Sequence, residues 1–284
     1  MQIKRVTITD MADKKIKLIC SDIDATLTWN FNGISKANRQ AIIDIMDSGI
    51  LFGIASGRGY EDLRNYSSMW NIERPFDLII GLNGSSLYDE KLKKDEKYFE
   101  ISTDHLQKII EAIDKTGLDS HIYIDGITLF SKISERYLKI KDSSHRGFRV
   151  AEKLSDLYRK PTAKVLINVE DEQMDHYREY FAPILESCDG KVKLIRTSPG
   201  AMEFVPYESN KLYALKKYCD RYDISLDDVA AFGDTSNDNE MIQGAGLGVC
   251  MLNGTDDTKA LADAISEYEA KDDGFARYVY EHIL

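Results

Sequence analysis

Short apolar runs recur towards both ends of the chain, and polar or glycine residues follow each of them. Five of these runs cover residues 16–20, 50–55, 78–82, 229–232 and 247–251. They are almost continuously apolar, which is typical of strands covered on both faces in a parallel sheet. A helical pattern follows the first run, with a candidate N-cap at Ser35 and a stop at Gly49. This alternation predicts an α/β fold with a doubly wound parallel sheet.

Helical spacing also appears beside the later runs, and it predicts further helices over residues 60–70, 211–222, 238–243 and 257–265. In the middle of the chain, candidate strands and helices occur in mixed order. There the charged run KLKKDEK is interpreted as a solvated turn between strands. We therefore expect an α+β domain at residues 85–205, inserted into a core domain made of residues 1–84 and 206–284.

Composition narrows the classes of function. The chain has 284 residues and a net charge of −11, which argues against nucleic acid and acidic membranes as partners. It has no apolar stretch of transmembrane or signal-peptide length, so we expect a cytoplasmic protein. The four cysteines form no CxxC pair and the five histidines lack ligand spacing, so we expect no zinc site. The expected oligomeric state is a monomer or a small homo-oligomer.

The chemically informative residues follow the apolar runs directly. In open α/β sheets, ligands bind beyond the carboxyl ends of the strands. The residues found after four of the runs are Asp22 and Asp24, then Ser56, Gly57 and Arg58, then Asn83 and Gly84, and finally Asp234 to Asp238. We therefore expect four acids from distant segments to meet at one rim of the sheet.

Acids gathered in this way are tolerated if a divalent cation neutralises them, and oxygen ligands favour Mg²⁺. An EF-hand calcium loop is excluded because the glycine and glutamate that it requires are missing after both Asp22 and Asp234. Phosphate is the natural further ligand, since Ser56 and the nearby amides can donate to its oxygens. Lys211 follows a candidate N-cap, Ser209, and a lysine in a first helical turn is disfavoured unless it faces an anion. The GxxxxGK pattern of P-loop enzymes is absent.

Four segments taken together resemble the motifs of the haloacid dehalogenase-like (HAD) hydrolases: DIDATL, ASGR, Lys211 and GDTSNDNEM. The segment GLGVCMLN and the long insert resemble the Cof-type subfamily, which has a large α/β cap of type C2. This resemblance extends over nearly the whole chain. It implies a Mg²⁺-dependent phosphatase that works through an aspartyl-phosphate intermediate.

The resemblance also implies a role for each residue. Asp22 would be the nucleophile, and Asp24 the general acid and then the base. Ser56 and Lys211 would complete the catalytic set and bind the transferred phosphate, with Gly57, Arg58 and Asn237 as further substrate contacts. Asp22, Asp234, Asp238 and the backbone carbonyl of Asp24 would hold the metal, and Asn237 would also orient Asp238.

Two residues depart from the family pattern. Ala25 stands where the first motif usually has glycine, and Leu212 follows the lysine where glycine is common. An alanine would be strained if that position requires a positive φ. Neither change removes a charged group from the expected chemistry.

The expected substrate is a small phosphomonoester, with a sugar phosphate as first choice and pyridoxal phosphate or flavin mononucleotide behind it. A phosphotransferase or phosphosugar mutase remains an alternative, because the same rim serves transfer to a hydroxyl. A non-catalytic sugar-phosphate sensor is an alternative of another class. We expect the insert to close over the rim and determine specificity. Its candidate contacts are Arg196, Glu203 and Asn210.

Overall fold

The chain folds into two compact units. The computed structural model describes residues 15–29, 33–133, 147–198 and 200–284, and for Ser198 the backbone alone. Met1–Lys97 and Asn210–Leu284 form one unit, which we call the core unit. Tyr98–Ser209 form the other, which we call the insert unit.

The described segments contain the following strands and helices. The strands are β1 (Leu18–Asp22), β2 (Leu51–Ala55), β3 (Leu78–Gly81), β4 (Ser86–Asp89), β5 (Lys94–Lys97), β6 (Ser120–Ile124), β7 (Ile127–Phe130), β8 (Phe148–Val150), β9 (Val165–Asn168), β10 (Val192–Ser198), β11 (Ala201–Pro206), β12 (Val229–Gly233), β13 (Leu247–Cys250) and β14 (Ala264–Ile265). The α-helices are α1 (Lys36–Asp47), α2 (Tyr60–Leu63), α3 (Tyr66–Met69), α4 (Thr103–Thr116), α5 (Met174–Glu186), α6 (Lys211–Tyr222), α7 (Asn239–Gly244), α8 (Asp256–Leu261) and α9 (Gly274–His282). None of these helices is both long and apolar enough to cross a membrane.

One sheet runs through the core unit in the order β14-β13-β12-β1-β2-β3-β4-β5. The pairs from β14 to β3 are parallel, and β4 and β5 are added antiparallel. The chain builds outward from β1 on both sides, so the order reverses beside β1 and the predicted doubly wound sheet is confirmed. The carboxyl ends of β1, β2 and β12 therefore share one edge, which is where such folds bind ligands.

Apolar packing fixes β1 at the centre of this sheet. Helix α1 begins at Ser35, whose hydroxyl accepts a hydrogen bond from the amide of Asn38, as predicted. Ile42 and Ile45 of α1 are fully buried in one cluster with Ile19 of β1. Each buried aliphatic side chain contributes roughly 1.5–3 kcal/mol to folding. The position at which β1 ends is thus held firmly.

The insert unit has its own sheet, in the order β10-β11-β9-β6-β7-β8. Its pairs are antiparallel except for β7 with β8. Helices α4 and α5 contribute Ile109, Ile113 and Phe181 to a separate apolar cluster, together with Phe204 of β11. This agrees with the expected α+β character.

The division between the units differs from the predicted one. Strands β4 and β5 pair antiparallel with the core sheet, so residues 85–97 lie in the core unit and not in the insert. The charged run at residues 91–97 includes β5 and is therefore not only a turn. Lys and Glu side chains suit this edge position because they discourage further strand pairing. At the other junction the core unit resumes at Asn210 rather than at residue 206.

Two helix predictions were also inaccurate. The helix expected over residues 60–70 is divided into α2 and α3 at Asn65, whose backbone leaves helical geometry. The helix expected over 257–265 ends at Leu261, and β14 follows it. Helix α9 was not predicted, although its Phe275, Ala276 and Val279 are buried with helical spacing.

Candidate active site

Three of the four acids expected at the rim lie together at the end of β1, and a buried lysine lies among them. Asp22 is the last residue of β1, and Lys211 is the first residue of α6. The Lys211 Nζ donates to Oδ1 of Asp22 at 2.5 Å and to Oδ1 of Asp238 at 2.5 Å. Lys211 is fully buried, and Asp22 is 7% exposed. Residues 189 positions apart in the chain thus form one ionic cluster.

The backbone that presents Lys211 is fixed by two neighbours. The N-cap of α6 is Asn210 and not Ser209 as predicted, since the Asn210 side chain accepts a hydrogen bond from the amide of Tyr213. Gly84 lies against this helix start, and a Cβ on it would be 1.9 Å from the carbonyl oxygen of Asn210. Only glycine permits this approach, so the 83–84 turn positions the helix that carries Lys211.

Three carboxylates converge around the lysine. Oxygens of Asp22, Asp234 and Asp238 all lie within 4.8 Å of one another, and the three residues are buried. Burial raises the pKa of Asp22 to about 7; Lys211 opposes this, while Asp238 and Asp24 add to it. Burial also raises the pKa of Asp234 well above its ordinary value, with Asp22 and Asp238 adding to the shift. The cluster therefore has more negative charge than Lys211 can neutralise.

The Lys211 ammonium is held in its charged form. Burial alone would lower its pKa, but Asp22 and Asp238 more than offset that effect, so the pKa is raised. An opposite charge in direct contact favours the charged form, and two such contacts act here. Lys211 is thus a permanent cation beside the carboxylate of Asp22.

The three acids differ in how much of each carboxylate is already bonded. Oδ1 of Asp238 accepts from Lys211, and its Oδ2 accepts from the amides of Asp234 and Thr235. Oδ1 of Asp234 accepts from the Thr26 hydroxyl at 3.2 Å. Within the described segments, no hydrogen bond reaches Oδ2 of Asp22 or Oδ2 of Asp234. Those two oxygens are the freest donors for a metal.

Asp24 is placed differently from the other predicted metal ligands. Its carboxylate is outside the three-acid cluster and pairs with Arg58, with Nη2 at 3.0 Å from Oδ1 and Nη1 at 2.7 Å from Oδ2. The side chains of Arg58 and Asp24 are 27% and 45% exposed. Arg58, expected as a substrate contact, is therefore engaged with Asp24 in this conformation.

The serine turn and the acidic loop are joined by an amide network. Ser56 is buried, and its hydroxyl accepts from the amide of Arg58 at 3.2 Å. The Asn83 amide donates to the Ser56 carbonyl, and Oδ1 of Asn83 accepts from Nδ2 of Asn237 at 3.3 Å. A Cβ on Gly57 would lie 3.2 Å from Oδ1 of Asn83, so Gly57 leaves room for this side chain. Asn237 thus connects the two loops, although it was expected to contact substrate.

Both departures from the family pattern are accommodated. Ala25 has a φ of 59°, so the position does require the left-handed region, and an alanine there is strained. Its carbonyl accepts from Nδ2 of Asn253 at 2.9 Å, which holds the turn. Leu212 packs against Gly244, where a Cβ would lie 2.4 Å from a Leu212 methyl carbon. The missing glycine after Lys211 is thus matched by a glycine on α7.

Three supporting residues were not assigned in advance: Thr26, Asn83 as a network residue, and Asn253. Each lies in or beside a segment noted in the sequence, but its role depends on a contact with a distant loop. Asn253 also accepts from the amide of Ala270, so it ties the end of the GLGVCMLN segment to two turns. Only the folded arrangement identifies such contacts.

The three residues expected to contact the substrate lie in different environments. Glu203 on β11 is buried and forms an ion pair with Lys164, with Oε1 at 2.7 Å from Nζ. Arg196 on β10 is half exposed and pairs with Asp171 at 3.3 Å. Asn210 caps α6 and lies in the core unit. Its side chain is therefore already occupied by a structural role.

Comparison with protein families gives a match over most of the chain. The profile of the family described as haloacid dehalogenase-like hydrolase matches residues 19–279. A relative from Bacillus subtilis, 5-amino-6-(5-phospho-D-ribitylamino)uracil phosphatase YcsE, is 26% identical over 96% of this chain and 98% of its own length. A second relative from that organism with the same activity in its name, YitU, is 25% identical over 95% and 98%.

Solved structures also match this chain over most of its length. A haloacid dehalogenase-like hydrolase from Bacteroides thetaiotaomicron matches with a TM-score of 0.81 and 24% identity, covering 94% of this chain and 99% of its own. The Thermotoga maritima protein TM0651 matches with a TM-score of 0.78 and 27% identity, covering 95% and 98%. Both alignments include the core and insert units.

Proposed function

Since the chain belongs to the haloacid dehalogenase-like hydrolases, we propose that it is a Mg²⁺-dependent phosphatase of small phosphomonoesters that uses Asp22 as its nucleophile. The observation that carries this proposal is the buried cluster at the end of β1. It places three carboxylates around one ammonium, a surplus of two negative charges when all four groups are ionised. A divalent cation would cancel that surplus.

The donor set fits Mg²⁺. It consists of hard carboxylate oxygens, and Mg²⁺ binds through few protein carboxylates while retaining waters. Asp22 and Asp234 would hold the ion directly through their unbonded oxygens, and Asp238, whose oxygens are already bonded, would support them. The backbone carbonyl of Asp24 is the fourth donor that the family pattern implies. When bound, Mg²⁺ supplies positive charge next to the transferring phosphoryl group.

The protein's own groups account for the remaining chemistry. Lys211 orients the Asp22 carboxylate and favours its charged form, and one oxygen of this carboxylate attacks phosphorus to form an aspartyl phosphate. Asp24 donates a proton to the departing oxygen, then takes one from the water that cleaves the aspartyl phosphate. The Ser56 hydroxyl binds a phosphate oxygen. Splitting the reaction in two replaces one difficult displacement with two easier ones.

We propose a phosphorylated sugar or sugar alcohol as the substrate class. Two relatives that match nearly the whole chain carry the name of a phosphatase whose substrate has its phosphate on a ribityl chain. Recognition of its hydroxyl groups needs polar side chains, and we propose that the insert unit supplies them. Glu203 and Lys164 are the first residues to test, because they form a buried polar pair.

The test is release of inorganic phosphate from a panel of sugar, sugar-alcohol and cofactor phosphates, with and without Mg²⁺. Turnover that needs Mg²⁺ and favours sugar or sugar-alcohol phosphates supports the proposal. Product analysis separates hydrolysis from transfer to a second sugar. Saturable binding of these esters without any turnover would support the sensor and contradict the phosphatase.

A further inference from the structure

The Arg58 guanidinium contacts Asp24 at two points. Nη2 lies 3.0 Å from Oδ1 and Nη1 lies 2.7 Å from Oδ2, so each carboxylate oxygen faces one guanidinium nitrogen. The Nη2 contact is a hydrogen bond, whereas Nη1 is buried and makes a close ionic contact without a hydrogen bond. Two contacts still restrict the rotation of the carboxylate more than one contact would. Both side chains are partly exposed, and exposed ion pairs add little to folding stability. Folding stability alone therefore does not explain why Arg58 and Asp24 are paired.

The backbone of Arg58 is held by the same site. Its amide donates to the Ser56 hydroxyl at 3.2 Å, and its carbonyl accepts from the amide of Leu82 at 2.8 Å. Its guanidinium carbon lies 6.0 Å from the centre of the Tyr66 ring, at the outer range of a cation–π contact. Two hydrogen bonds therefore hold the backbone of Arg58 in place, and its guanidinium faces Asp24.

We propose that Arg58 is a positioning residue that holds the carboxylate of Asp24 in its working direction, and that it does not bind the transferred phosphate. This inference rests on the proposed function, in which Asp24 donates and accepts the proton. It differs from the sequence expectation, which placed Arg58 on the substrate. The deciding observation is that both Nη atoms of the guanidinium already lie against the Asp24 carboxylate, one through a hydrogen bond and one through a close ionic contact.

A double-mutant cycle tests this inference. The variants are Arg58→Met, Asp24→Asn, the two combined, and Arg58→Lys, which keeps the charge but has a single nitrogen to face the carboxylate. Phosphate release is measured with p-nitrophenyl phosphate, whose leaving group needs little protonation, and with glycerol 1-phosphate, whose leaving group needs more. Thermal unfolding of each variant controls for folding.

If Arg58 acts through Asp24, Arg58→Met lowers kcat about tenfold on glycerol 1-phosphate, within the coupling range of contacting residues. The loss is smaller on p-nitrophenyl phosphate, KM changes less than about twofold, and Arg58→Lys restores part of kcat. In the Asp24→Asn background, Arg58→Met has no further effect, because the group that it positions is gone.

Two results would overturn the inference alone. One is a raised KM for both substrates, and the other is an equal loss of kcat with and without Asp24. Full turnover by Asp24→Asn would remove the proposed role of Asp24 as well. The failure of the inference is thereby distinguished from failure of the proposed function.

Discussion

Among the described residues, two lysines are buried against carboxylates, one in each unit. Lys211 in the core unit contacts Asp22 and Asp238, and it has 0% side-chain exposure. Lys164 in the insert unit contacts Glu203 at 2.7 Å, and the two side chains are 3% and 4% exposed. The burial is similar. Lys211, however, contacts two acids and has a third, Asp234, nearby.

Lys164 and Glu203 are a buried ammonium and carboxylate in direct contact, and removal of one partner from such a contact is costly. The Lys211 cluster differs because one ammonium lies among three carboxylates. In the Lys211 cluster, the pKa values of Asp22 and Asp234 are raised, as expected where burial and like charges act together. Such a surplus is unfavourable for folding alone, and it suits a site that takes up a cation.

The largest effect should follow from Asp22→Asn, which keeps the shape of the side chain but removes the carboxylate that we propose attacks phosphorus. We expect kcat for phosphate release to fall about 10⁴-fold or more. The control is Asp47→Asn, which changes a carboxylate that is 68% exposed and should leave kcat unchanged. Wild-type turnover by Asp22→Asn would show that the cluster is not the reacting centre.

Next in size is Glu203→Gln, which removes the carboxylate that lies 2.7 Å from the buried Nζ of Lys164. We expect a loss of about 3–5 kcal/mol in the free energy of unfolding, measured with denaturant. The exposed Glu179→Gln on α5 is the matched control and should change little. The double variant Lys164→Met/Glu203→Met should recover most of the loss. If Glu203→Gln alone is neutral, the ion pair between Glu203 and Lys164 does not stabilise the fold.

The insert unit should also respond to acid through His121, which stacks on Phe130 with ring centroids 4.7 Å apart. Burial, with a smaller contribution from Lys164, lowers the pKa of His121 to about 3. Below its ordinary pKa of about 6.5, the unfolded chain binds a proton that the folded chain cannot. Stability should therefore fall as pH decreases from 6.5 towards 3, by up to about 1.4 kcal/mol per pH unit.

The His121→Phe variant should have a flatter dependence of the denaturation midpoint on pH over that range. The control is His176→Phe, a change at an exposed position on α5, which should keep the wild-type profile. An unchanged profile in His121→Phe would mean that other groups cause the acid sensitivity.

The smallest expected effect is a stabilisation, which is opposite in sign to the effect of Glu203→Gln. With metal removed by a chelator, Asp234→Asn should raise the free energy of unfolding by about 0.5–2 kcal/mol, because it relieves the carboxylate surplus. Loss of an acid from the Lys164 pair has the opposite effect. Denaturant unfolding in chelator measures both. A destabilised Asp234→Asn under those conditions would mean that Asp234 is part of a balanced network.

The sequence was most informative where hydrophobic runs end in acids. Each run ends at a strand terminus, so the sequence alone was enough to place Asp22 and Asp234 on one edge of the sheet. The sequence did not indicate the direction in which a side chain beyond that edge points. Asp24 lies two residues from Asp22, yet its carboxylate turns to Arg58 instead of joining the acidic cluster.

Errors arose where local patterns did not reflect burial. Strand β5 is made of KDEK, which has no apolar alternation, and its place depends on pairing with β4. The choice between Ser209 and Asn210 as N-cap depended on one hydrogen bond to Tyr213. The turn containing Ala25 has the positive φ that a glycine would favour, but Asn253 and the surrounding fold hold it.

We infer that a divalent cation neutralises the carboxylate surplus around Lys211. Titration calorimetry of Mg²⁺ into chelator-treated wild-type protein tests it most directly, with Asp234→Asn and Glu203→Gln as the comparison. We expect one Mg²⁺ per chain in the wild type and in Glu203→Gln, and affinity weakened about tenfold or more in Asp234→Asn. Absence of Mg²⁺ binding to the wild type, or unchanged binding in Asp234→Asn, would contradict the account.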